Sequence, residues 1–508
     1  MPRAHQLTAE IANCRVTIVK NLLIFFKEVC LQYNCRRLSS HISRITSSVS
    51  RLTFNFSLLT LFLSSTAVLA QSTSRQYTEV ASRITKKGLT EQQAFVMLRE
   101  LTGTIGNRLS GSPQAAKAVE WGKNVMKKCG FDSIHLEPVS VPHWVRGKNE
   151  RAFILAGRAK KSLAVCALGG SVATPKKGIT AEVIEVHSLD EVKNLGGSAK
   201  GKIIFYNRPM DPAKVMTFEA YGGAVDQRGQ GAIEAAKAGA VAAIVRSMTL
   251  ALDDVPHTGA MHYLDSIPKI PSAAVSTIGA NELSALLKSG KNVRLQLILN
   301  CETLPEVESA NVVGEILGSE KPNEVIVIGG HLDSWDKGEG AHDDGAGSVQ
   351  SMEALRIIKE LGLRPKRTIR CVLFMNEENG LRGGKAYAAT KHSPDEKHIA
   401  AIETDAGGFA PIGFGITADS AAFEKFKTFA GALEGIGADR IRKGGGGADI
   451  SAMGAAGVPL IGLMVESQRY FDYHHSNNDT IDKVNSRELE LGAIALAIFS
   501  YEISEEGL

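Results

Sequence analysis

The chain has 508 residues, of which 44% are hydrophobic and 22% are charged, and its formal net charge is +4. This composition excludes a disordered chain and is typical of globular material in two or three domains. Residues 1–70 carry eight basic and two acidic side chains, so residues 71–508 carry a formal charge of −2. A nearly neutral body without a basic cluster argues against nucleic-acid binding. The four cysteines after residue 70 are widely spaced and form no CxxC pair, which indicates neither a disulfide scaffold nor a cysteine zinc site.

The N-terminal region has the pattern of a secretory signal peptide. An apolar run at residues 58–63, with arginines before it, leads to small residues that suit cleavage after Ala70. We therefore expect residues 1–70 to be an N-terminal extension with a signal peptide, and the mature protein to be secreted or periplasmic without stable membrane insertion. An uncleaved membrane anchor is the alternative, although the run is short and rich in Ser and Thr for that role. Because no methionine lies between residues 1 and 97, we also expect translation to start near residue 50.

Residues 71–145 and 146–304 differ in their sequence pattern. The first range has one helical pattern after Thr90 and another from about Gln114 to Lys128, followed by an edge strand, and we assign it to the helical N-terminal part of the main domain. The second range has short strand-like runs between glycines and prolines and no cluster of metal-type ligands. We therefore predict a compact β-rich domain inserted at 146–304. A continuation of the main sheet is the alternative.

Residues 305–508 alternate between strand and helix patterns. Strands are predicted at 324–330, 367–375, 399–404 and 458–464, and helices at about 345–361, 381–391, 420–434 and 487–503. This alternation predicts an α/β fold with a mostly parallel mixed sheet and helices on both faces. Sheets of this kind carry their sites at the carboxyl ends of the strands.

Ligand-type side chains follow the first of these strands. The β-branched run Val325–Ile328 is closed by two glycines and leads to His331 and Asp333. A glycine-rich loop then carries two consecutive aspartates, 343–344, before a helix pattern. An imidazole and several carboxylates at a strand end suggest a divalent metal ion. Taken alone, these residues fit equally well a hydrogen-bonded edge histidine and an acidic helix N-cap.

Three later segments add residues of the same kind. Glu377 and Glu378 follow the strand at 367–375, Asp405 follows the next strand, and His475 lies in a loop. Adjacent carboxylates are costly unless they are solvated, share a proton or are neutralised by cations. A pair of zinc ions fits mixed histidine and carboxylate ligands better than magnesium, because imidazole favours transition metals. No HExxH motif occurs, which excludes the helix-borne zinc-protease arrangement.

Several motifs together resemble one known family over residues 85–505. They are GHLDSWD (330–336), DDG (343–345), LRPKRT (363–368), EE (377–378), ETDAG (403–407) and HHS (474–476), with PHW (142–144), GITAEV (178–183) and PHTG (256–259) elsewhere. The sequence resembles the co-catalytic di-zinc exopeptidases, which include aminopeptidases and glutamate carboxypeptidases. The resemblance implies the di-zinc exopeptidase fold with an inserted protease-associated-type domain.

The resemblance also implies a set of metal ligands. One Zn²⁺ would be bound by His331, Asp343 and Asp405. A second would be bound by Glu378 and His475, with Asp343 as the bridge between the two ions. The cofactor prediction is therefore two Zn²⁺ per subunit.

The same resemblance implies catalytic roles for two further residues. Glu377 would be the general base. Asp333 would accept a hydrogen bond from His331 and thereby fix the tautomer of the imidazole. The peptide bond between residues 343 and 344 would be cis.

The neighbours of these residues receive weaker assignments. Asp449, in a glycine-rich loop, and Tyr473 are candidates for substrate binding, although Tyr473 and Trp335 could instead support the pocket from behind. We expect His474 to have a packing role rather than to bind metal, and His342 to be a solvated loop residue.

The functional hypothesis is a secreted, zinc-dependent exopeptidase that hydrolyses dipeptides or short unblocked peptides with water activated by Glu377. An aminopeptidase acting on longer peptides, a single-zinc glutaminyl cyclase-like acyl transferase, and a metal-free binding protein on the same scaffold are the alternatives. The resemblance further implies a homodimer, in which the partner shapes the cleft. The motifs do not indicate whether peptides are trimmed from the amino or the carboxyl end.

Overall fold

The computed structural model of the protein describes residues 77–508, so the predicted signal peptide at 1–70 lies outside the described residues. The helices are 77–91 (α1), Gln93–Thr104 (α2), Pro113–Lys128 (α3), Leu189–Leu195 (α4), Thr217–Gly222 (α5), Asp226–Lys237 (α6), Thr277–Lys288 (α7), Ala346–Glu360 (α8), Arg382–Ala389 (α9), Ser420–Lys427 (α10), Ala430–Leu433 (α11), Tyr470–Tyr473 (α12) and Ser486–Glu506 (α13). Within 77–508, no helix has the length and apolar character needed to cross a membrane.

The strands form two sheets. In chain order they are Ser133–Val145 (β1), Glu150–Ala156 (β2), Ala159–Leu163 (β3), Val165–Ala167 (β4), Ile179–Val186 (β5), Ile203–Tyr206 (β6), Ala242–Arg246 (β7), Ser272–Val275 (β8), Val293–Leu299 (β9), Glu302–Ile316 (β10), Lys321–His331 (β11), Arg367–Phe374 (β12), Lys397–Glu403 (β13), Pro411–Thr417 (β14), Arg440–Lys443 (β15) and Leu460–Val465 (β16). The first sheet has the order β1-β10-β12-β11-β13-β16-β14-β15 and the second β3-β2-β9-β5-β6-β7-β8-β4.

The first sheet has a parallel centre and antiparallel neighbours. β12, β11, β13 and β16 are mutually parallel, whereas β10 pairs antiparallel with β12 and β14 pairs antiparallel with β16. The four strands predicted from the sequence between 305 and 508 are these four parallel strands. The predicted mostly parallel mixed sheet is therefore confirmed. The predicted helix at 420–434 is divided between α10 and α11.

Helices cover both faces of this sheet. On β11, Ile326 and Ile328 belong to the large apolar core that also contains buried residues of α8 and α13. The alternate residues Val325 and Val327 belong to another core, together with Tyr387 of α9. Since successive side chains of a strand point to opposite faces, α8 and α13 lie on one face and α9 on the other.

The N-terminal helices pack against one edge of the sheet. Ser112 caps α3, because its hydroxyl accepts a hydrogen bond from the N–H of Ala115, and Pro113 occupies the first turn, where no N–H is needed. The helix predicted at 114–128 is thus confirmed. β1 then forms the edge of the sheet by pairing antiparallel with β10, as the sequence predicts for this strand.

The second sheet is built entirely from residues 150–299, inside the range predicted as an insertion. The strands of this sheet and α7 contribute to one apolar core. Helices α4 and α6 of the same segment pack against each other. The segment is therefore α/β rather than purely β-rich. The described residues 77–508 belong to one compact unit, and the predicted boundary at 305 falls within β10. That the segment is of the protease-associated type stays a prediction.

Candidate active site

Three adjacent strands of the first sheet bring the predicted ligands to one edge. β11 lies between β12 and β13, and all three are parallel, with His331 opposite Phe374 and Gly329 opposite Glu403. The carboxyl ends of parallel strands meet at the same edge, so the loops that follow them converge. The segment around α12 reaches the same place and contributes His475.

Asp343 lies at the centre of the ligand set. Its Oδ1 is 3.2 Å from Nε2 of His331, and its Oδ2 is 3.2 Å from Nε2 of His475. Nε2 of His331 is also 3.6 Å from Oδ1 of Asp405, and Nε2 of His475 is 3.1 Å from Oε2 of Glu378. The five predicted ligands therefore form two groups of three that share Asp343.

The polar atoms at the centre of this set lack hydrogen-bond partners. Nε2 of His331, Oδ2 of Asp343 and Oδ1 of Asp405 are buried and make no hydrogen bond within residues 77–508. Buried polar atoms without partners destabilise a fold by about 1–3 kcal/mol each. Imidazole nitrogens and carboxylate oxygens that converge in this way fit a cation, and the mixed donor set fits zinc.

The charges of the site also favour a bound cation. Burial and the charge of Asp343 hold the pKa of Glu378 well above its usual range, and burial with the charge of Asp405 raises the pKa of Glu377 to about 8. Burial alone would lower the pKa of His331, but its contacts with Asp343 and Asp405 raise that pKa well above the usual value. Cations at the centre would remove the repulsion between these carboxylates.

The loop that carries Asp343 is fixed by two other carboxylates. The peptide bond between Asp343 and Asp344 is cis, as the resemblance implied, and Oδ1 of Asp344 accepts a hydrogen bond from the N–H of Gly347 at 2.8 Å. Asp479 accepts from the N–H groups of His342 (2.7 Å) and Asp343 (3.1 Å). Sequence reasoning missed this role of Asp479, because its partners lie more than 130 residues away along the chain.

Asp333 supports the site through a contact that differs from the expected one. Nδ1 of His331 is 3.0 Å from the backbone carbonyl of Asp333 and 3.9 Å from its carboxylate, so the ring donates to the carbonyl. The carboxylate instead accepts hydrogen bonds from the N–H groups of Asn376 (2.7 Å) and Glu377 (3.1 Å). Asp333 thus orients the imidazole with its backbone and the turn that carries Glu377 with its side chain.

Arg108 is a further supporting residue that the sequence did not reveal. It is fully buried, and its guanidinium donates to the carbonyls of Leu332 (2.5 Å), Glu339 (2.9 Å) and Gly340 (2.9 Å). These carbonyls belong to the loop between His331 and the two aspartates. The loop before α3 thereby fixes the loop that carries the ligands.

The structure corrects the prediction for His342. Its side chain is fully buried rather than solvated, and its ring stacks with that of Phe409 (4.4 Å between ring centres) and with that of Tyr473 (5.2 Å). Nδ1 accepts a hydrogen bond from the N–H of Gly408, and burial lowers the pKa of His342 to about 4. Tyr473 is therefore a packing partner of a neutral histidine and does not line the active-site cavity.

Asp449 and Trp335 lie outside the cavity wall as well. Asp449 is buried, and burial together with the charge of Glu403 holds its pKa well above the usual range. Trp335 is buried against Trp144 and His475, and its backbone N–H donates a hydrogen bond to Oε1 of Glu378 at 3.0 Å. Neither residue lines the cavity, so the structure does not support the predicted contact between Asp449 and the substrate.

His474 packs beside the ligand that follows it. Its ring stacks on His475 with 3.5 Å between ring centres, and its Nε2 is 3.7 Å from Oδ2 of Asp343, farther than Nε2 of His475. Burial holds the pKa of His474 well below its usual value. The ligand atoms of His474, Asp343 and His475 nevertheless lie within 4.8 Å of one another, so the packing role of His474 stays a prediction.

A cavity of about 420 Å³ opens onto the ligand set. Asp343, Glu377, Glu378, Asp405 and His475 form its floor. Its wall is aromatic and comes partly from the second sheet's segment, with one buried cation: Phe218, Tyr221, Arg228, Tyr470 and Phe471. A cavity of this size accommodates one or two amino-acid residues.

Comparisons with known proteins first define the class of fold. A crystal structure of a zinc aminopeptidase from Bacillus subtilis superposes with a TM-score of 0.58 at 20% identity, covering 82% of this chain and 95% of that one. A crystal structure of a peptidase M28 precursor from Shewanella amazonensis superposes with a TM-score of 0.81 at 36% identity, covering 86% of this chain and 98% of that one. The mixed α/β fold is thus that of the M28 zinc aminopeptidases.

The sequence comparisons then define the family. The model of peptidase family M28 matches residues 311–498, a range that contains the whole ligand set. Carboxypeptidase Q from Bos taurus is 38% identical over 432 residues, which cover 84% of this chain and 89% of that protein. The chain therefore belongs to peptidase family M28, and the resemblance predicted from the sequence is confirmed.

Proposed function

We propose that the protein is a zinc-dependent exopeptidase that binds two Zn²⁺ per chain and hydrolyses dipeptides or short unblocked peptides. The observation that carries the proposal is the pair of ligand groups sharing Asp343, whose central nitrogen and oxygen atoms lack hydrogen-bond partners within residues 77–508. Family membership supports it, since the similar structure from Bacillus subtilis is named a zinc aminopeptidase.

His331, Asp343 and Asp405 would bind one ion, and Asp343, Glu378 and His475 the other. Bound zinc would supply Lewis-acid chemistry, polarising the scissile carbonyl and lowering the pKa of water. The chain itself would position the ions through Asp344 and Asp479, whose hydrogen bonds fix the loop of Asp343. Each imidazole would bind through Nε2, since Nδ1 of His331 already donates to a backbone carbonyl.

Glu377 would act as the general base. It lines the cavity beside two predicted ligands but has no predicted ligand role of its own. Its carboxylate would accept a proton from the attacking water and pass it to the nitrogen of the leaving amine, so that the peptide bond breaks with the proton balanced. Asp333 would keep this carboxylate in place through the N–H groups of Asn376 and Glu377.

The secreted location rests on the leader pattern that ends near Ala70. N-terminal sequencing of the mature protein would test it, and a mature start far from residue 71 would contradict it. A homodimer is supported by the exposed apolar side chains Val215, Met216 and Phe218, the last of which lies at the cavity. Sedimentation analysis would test this part, and a monomer at micromolar concentration would overturn it.

The enzymatic proposal is tested by hydrolysis of dipeptides and of the same peptides blocked at one end. We expect turnover of unblocked dipeptides, its loss after dialysis against a zinc chelator, and its recovery on adding Zn²⁺. Turnover that survives complete zinc removal would contradict the proposal. So would the absence of hydrolysis by a folded, zinc-loaded protein across the whole panel.

A further inference from the structure

The two predicted histidine ligands are supported by different parts of the chain. Nδ1 of His331 donates to the carbonyl of Asp333, and the N–H of His331 donates to Oδ2 of Asp344. Both partners follow β11 of the first sheet. His475 instead contacts residues of the second-sheet segment (150–299). The support of one predicted zinc site therefore comes from outside the part of the chain that supplies the ligands.

Two consecutive residues of the second-sheet segment bind the backbone on either side of the Cα of His475. Nδ1 of His257 lies 2.7 Å from the carbonyl of His474, and the N–H of Thr258 donates to the carbonyl of His475 at 2.8 Å. Because a carbonyl can only accept, Nδ1 of His257 carries the proton and donates. His257 and Thr258 are both buried. These two hydrogen bonds fix the orientation of the peptide groups before and after the ligand.

The backbone conformation of His475 requires support of this kind. Its φ is +60°, in the left-handed region that residues other than glycine rarely occupy, and such a conformation persists where surrounding contacts hold it. Its ring also lacks an acceptor, because within residues 77–508 the group at hydrogen-bond distance from Nδ1 is the donor Nη1 of Arg228, at 3.4 Å. The ring of His475 is therefore not oriented in the way that Asp333 orients the ring of His331.

The PHTG loop (residues 256–259) and Trp335 also contact the ring of His475. A Cβ at Gly259 would lie 2.7 Å from Nδ1 of His475, so the bare backbone of Gly259 packs against the imidazole. The φ of +132° at Gly259 favours glycine in addition. The indole of Trp335 meets the imidazole at a steep angle, with 5.8 Å between ring centres. The position of the ring thus depends on these two neighbours.

Trp335 connects the second-sheet segment to the other ligand of the same zinc site. Its ring belongs to the apolar core of the second sheet, and a Cβ at Gly169 would overlap it, so the ring packs directly on the backbone of Gly169. Its backbone N–H donates to Oε1 of Glu378 at 3.0 Å. Oε2 of Glu378 lies 3.1 Å from Nε2 of His475. Both ligands that this site does not share with the other one are therefore in contact with the same interface.

A buried arginine joins the PHTG loop to the loop that follows β11. Nη2 of Arg146 donates to Oγ1 of Thr258 at 3.1 Å, and its Nε donates to the carboxylate of Asp336 at 2.8 Å. Oγ1 of Thr258 in turn donates to the carbonyl of Ala167 at 2.8 Å. Because Asp336 directly follows Trp335, Arg146 holds the PHTG loop against the loop that contributes this tryptophan.

We propose that the second-sheet segment sets the affinity of the zinc site that contains Glu378 and His475. In this role His257 and Thr258 are positioning residues, which act through the backbone of His475 and do not line the cavity. The inference rests on the proposed function, since it concerns one of the two ions that this function requires. Removing a group that orients a metal ligand without touching the metal typically weakens metal binding by about 10- to 100-fold.

The experiment measures the two zinc dissociation constants of the wild type and of His257→Leu by competition with a chromophoric chelator. His257→Leu removes the donor to the carbonyl of His474 and keeps a side chain of similar size. One Kd should rise about 10- to 100-fold, and the other should stay within about 2-fold of wild type. His257→Asn, whose amide nitrogen can replace Nδ1 as the donor, should keep both constants within about 3-fold of wild type.

Two ligand variants identify the zinc site that His257 affects. Asp405→Ala retains the site of Glu378 and His475, and in this background His257→Leu should weaken the remaining ion about 10- to 100-fold. His475→Ala lacks that site, so His257→Leu should there leave the Kd of the remaining ion within about 2-fold. Equal weakening in both backgrounds would show that His257 only supports the fold and would overturn the proposal.

His187 provides the matched control. It lies in the same second-sheet segment, and its Nδ1 contacts a backbone carbonyl, that of Asn207, at 3.2 Å. His187→Leu thus removes the same kind of contact away from the ligand set, and both zinc constants should stay within about 2-fold of wild type. A rise of one Kd as large as that in His257→Leu would mean that any disturbance of the segment weakens the site, and would overturn the positioning role.

A second variant keeps the test decisive if His257→Leu does not fold. Thr258→Val removes the hydroxyl that is bonded to Arg146 and Ala167, so the same Kd should rise about 5-fold, the scale of a single hydrogen bond. Two wild-type zinc constants in a folded His257→Leu or Thr258→Val would overturn the inference and leave the peptidase proposal intact. A folded wild type that binds fewer than two zinc ions would instead contradict the proposed function, and the inference with it.

Discussion

Two clusters of histidine and carboxylate in residues 77–508 place ligand-type atoms close together, and they differ in their partners. One is the active-site set around Asp343. The other is formed by His392, Glu396 and His398, between α9 and β13. In the active-site set, buried ligand atoms lack hydrogen-bond partners.

In the second cluster, Glu396 and His398 have protein partners and Nδ1 of His392 lies 3.1 Å from Oε1 of Glu137, whereas Nε2 of His392 makes no hydrogen bond within residues 77–508. Both carboxylate oxygens of Glu396 accept hydrogen bonds from Arg370 (2.7 and 2.8 Å), and Nε2 of His398 contacts the hydroxyl of Tyr387 at 2.9 Å. A salt bridge already neutralises this carboxylate, so a cation would have to displace it. Proximity alone therefore does not define a metal site; uncompensated negative charge on the converging carboxylates does.

The largest effect is expected from removing the shared carboxylate. Asp343→Ala deletes the one group that belongs to both ligand groups, so we expect loss of both zinc ions and of more than about 10⁴-fold in kcat/KM. Elemental analysis of the purified variant would measure the first and dipeptide hydrolysis the second. Circular dichroism would confirm that the variant is folded.

The matched change in the second cluster is His398→Ala. Because the partners of this cluster are protein groups, we expect zinc content and kcat/KM to stay within about 2-fold of wild type. A loss of one zinc ion in His398→Ala would show that the second cluster binds metal and would contradict the stated difference between the two clusters.

Glu377→Gln should have the next largest effect. The amide cannot accept the proton, so kcat should fall about 10³-fold, within the range that general bases contribute. Glu377 has no predicted ligand role, so zinc content should be unchanged. A variant with turnover near wild type would remove Glu377 from the role of base.

The strand patterns of the sequence predicted that His331, Glu377 and Asp405 lie at one edge of the sheet, whereas the ligand roles came from the resemblance to the family. The apolar runs before His331 and Glu377 identify buried parallel strands, and such strands place the residues after them at one edge. The same reasoning could not find Arg108 or Asp479, since their partners in the site lie more than 130 residues away and no local pattern encodes those contacts.

The predictions from the sequence that are wrong have a related cause. His342 lies in a glycine-rich loop, where solvent exposure is the usual state. Its ring, however, stacks with those of Phe409 and Tyr473, which lie far away along the chain. The hydrogen bond of His331 goes to the carbonyl of Asp333 because the backbone of the turn after β12 engages the carboxylate. Burial and partner choice depend on packing between elements, which residue type and spacing do not specify.

A moderate effect is expected from changing Asp333. Asp333→Ala removes the acceptor of two N–H groups in the turn of Glu377, and the loss of such supporting groups typically costs 10- to 100-fold in activity. Asp333→Asn keeps an acceptor oxygen and should cost less. Zinc content should change little in either variant, and an Asp333→Ala enzyme with wild-type kcat would contradict the positioning role.

The smallest effect concerns Glu490, a buried carboxyl group that is neutralised by a proton rather than by a metal ion. Burial and the charge of Glu353 raise the pKa of Glu490 to about 9, above its usual value of about 4.5. Between these two pH values the folded state binds more protons than the unfolded state, so stability falls as pH rises. Glu490→Gln should therefore raise the free energy of unfolding by about 2 kcal/mol at pH 8 and change it little at pH 4.5.

Urea unfolding of both proteins at the two pH values would measure this difference. Equal effects at pH 4.5 and pH 8 would mean that Glu490 titrates normally.

The central claim is that Asp343 joins two metal sites, and the zinc content of the wild-type chain tests it most directly. Protein saturated with Zn²⁺ and then freed of loosely bound metal by gel filtration would be analysed by inductively coupled plasma mass spectrometry. The account predicts two zinc ions per chain, both lost in Asp343→Ala. One zinc ion or none in the folded wild type, or two retained in Asp343→Ala, would contradict it.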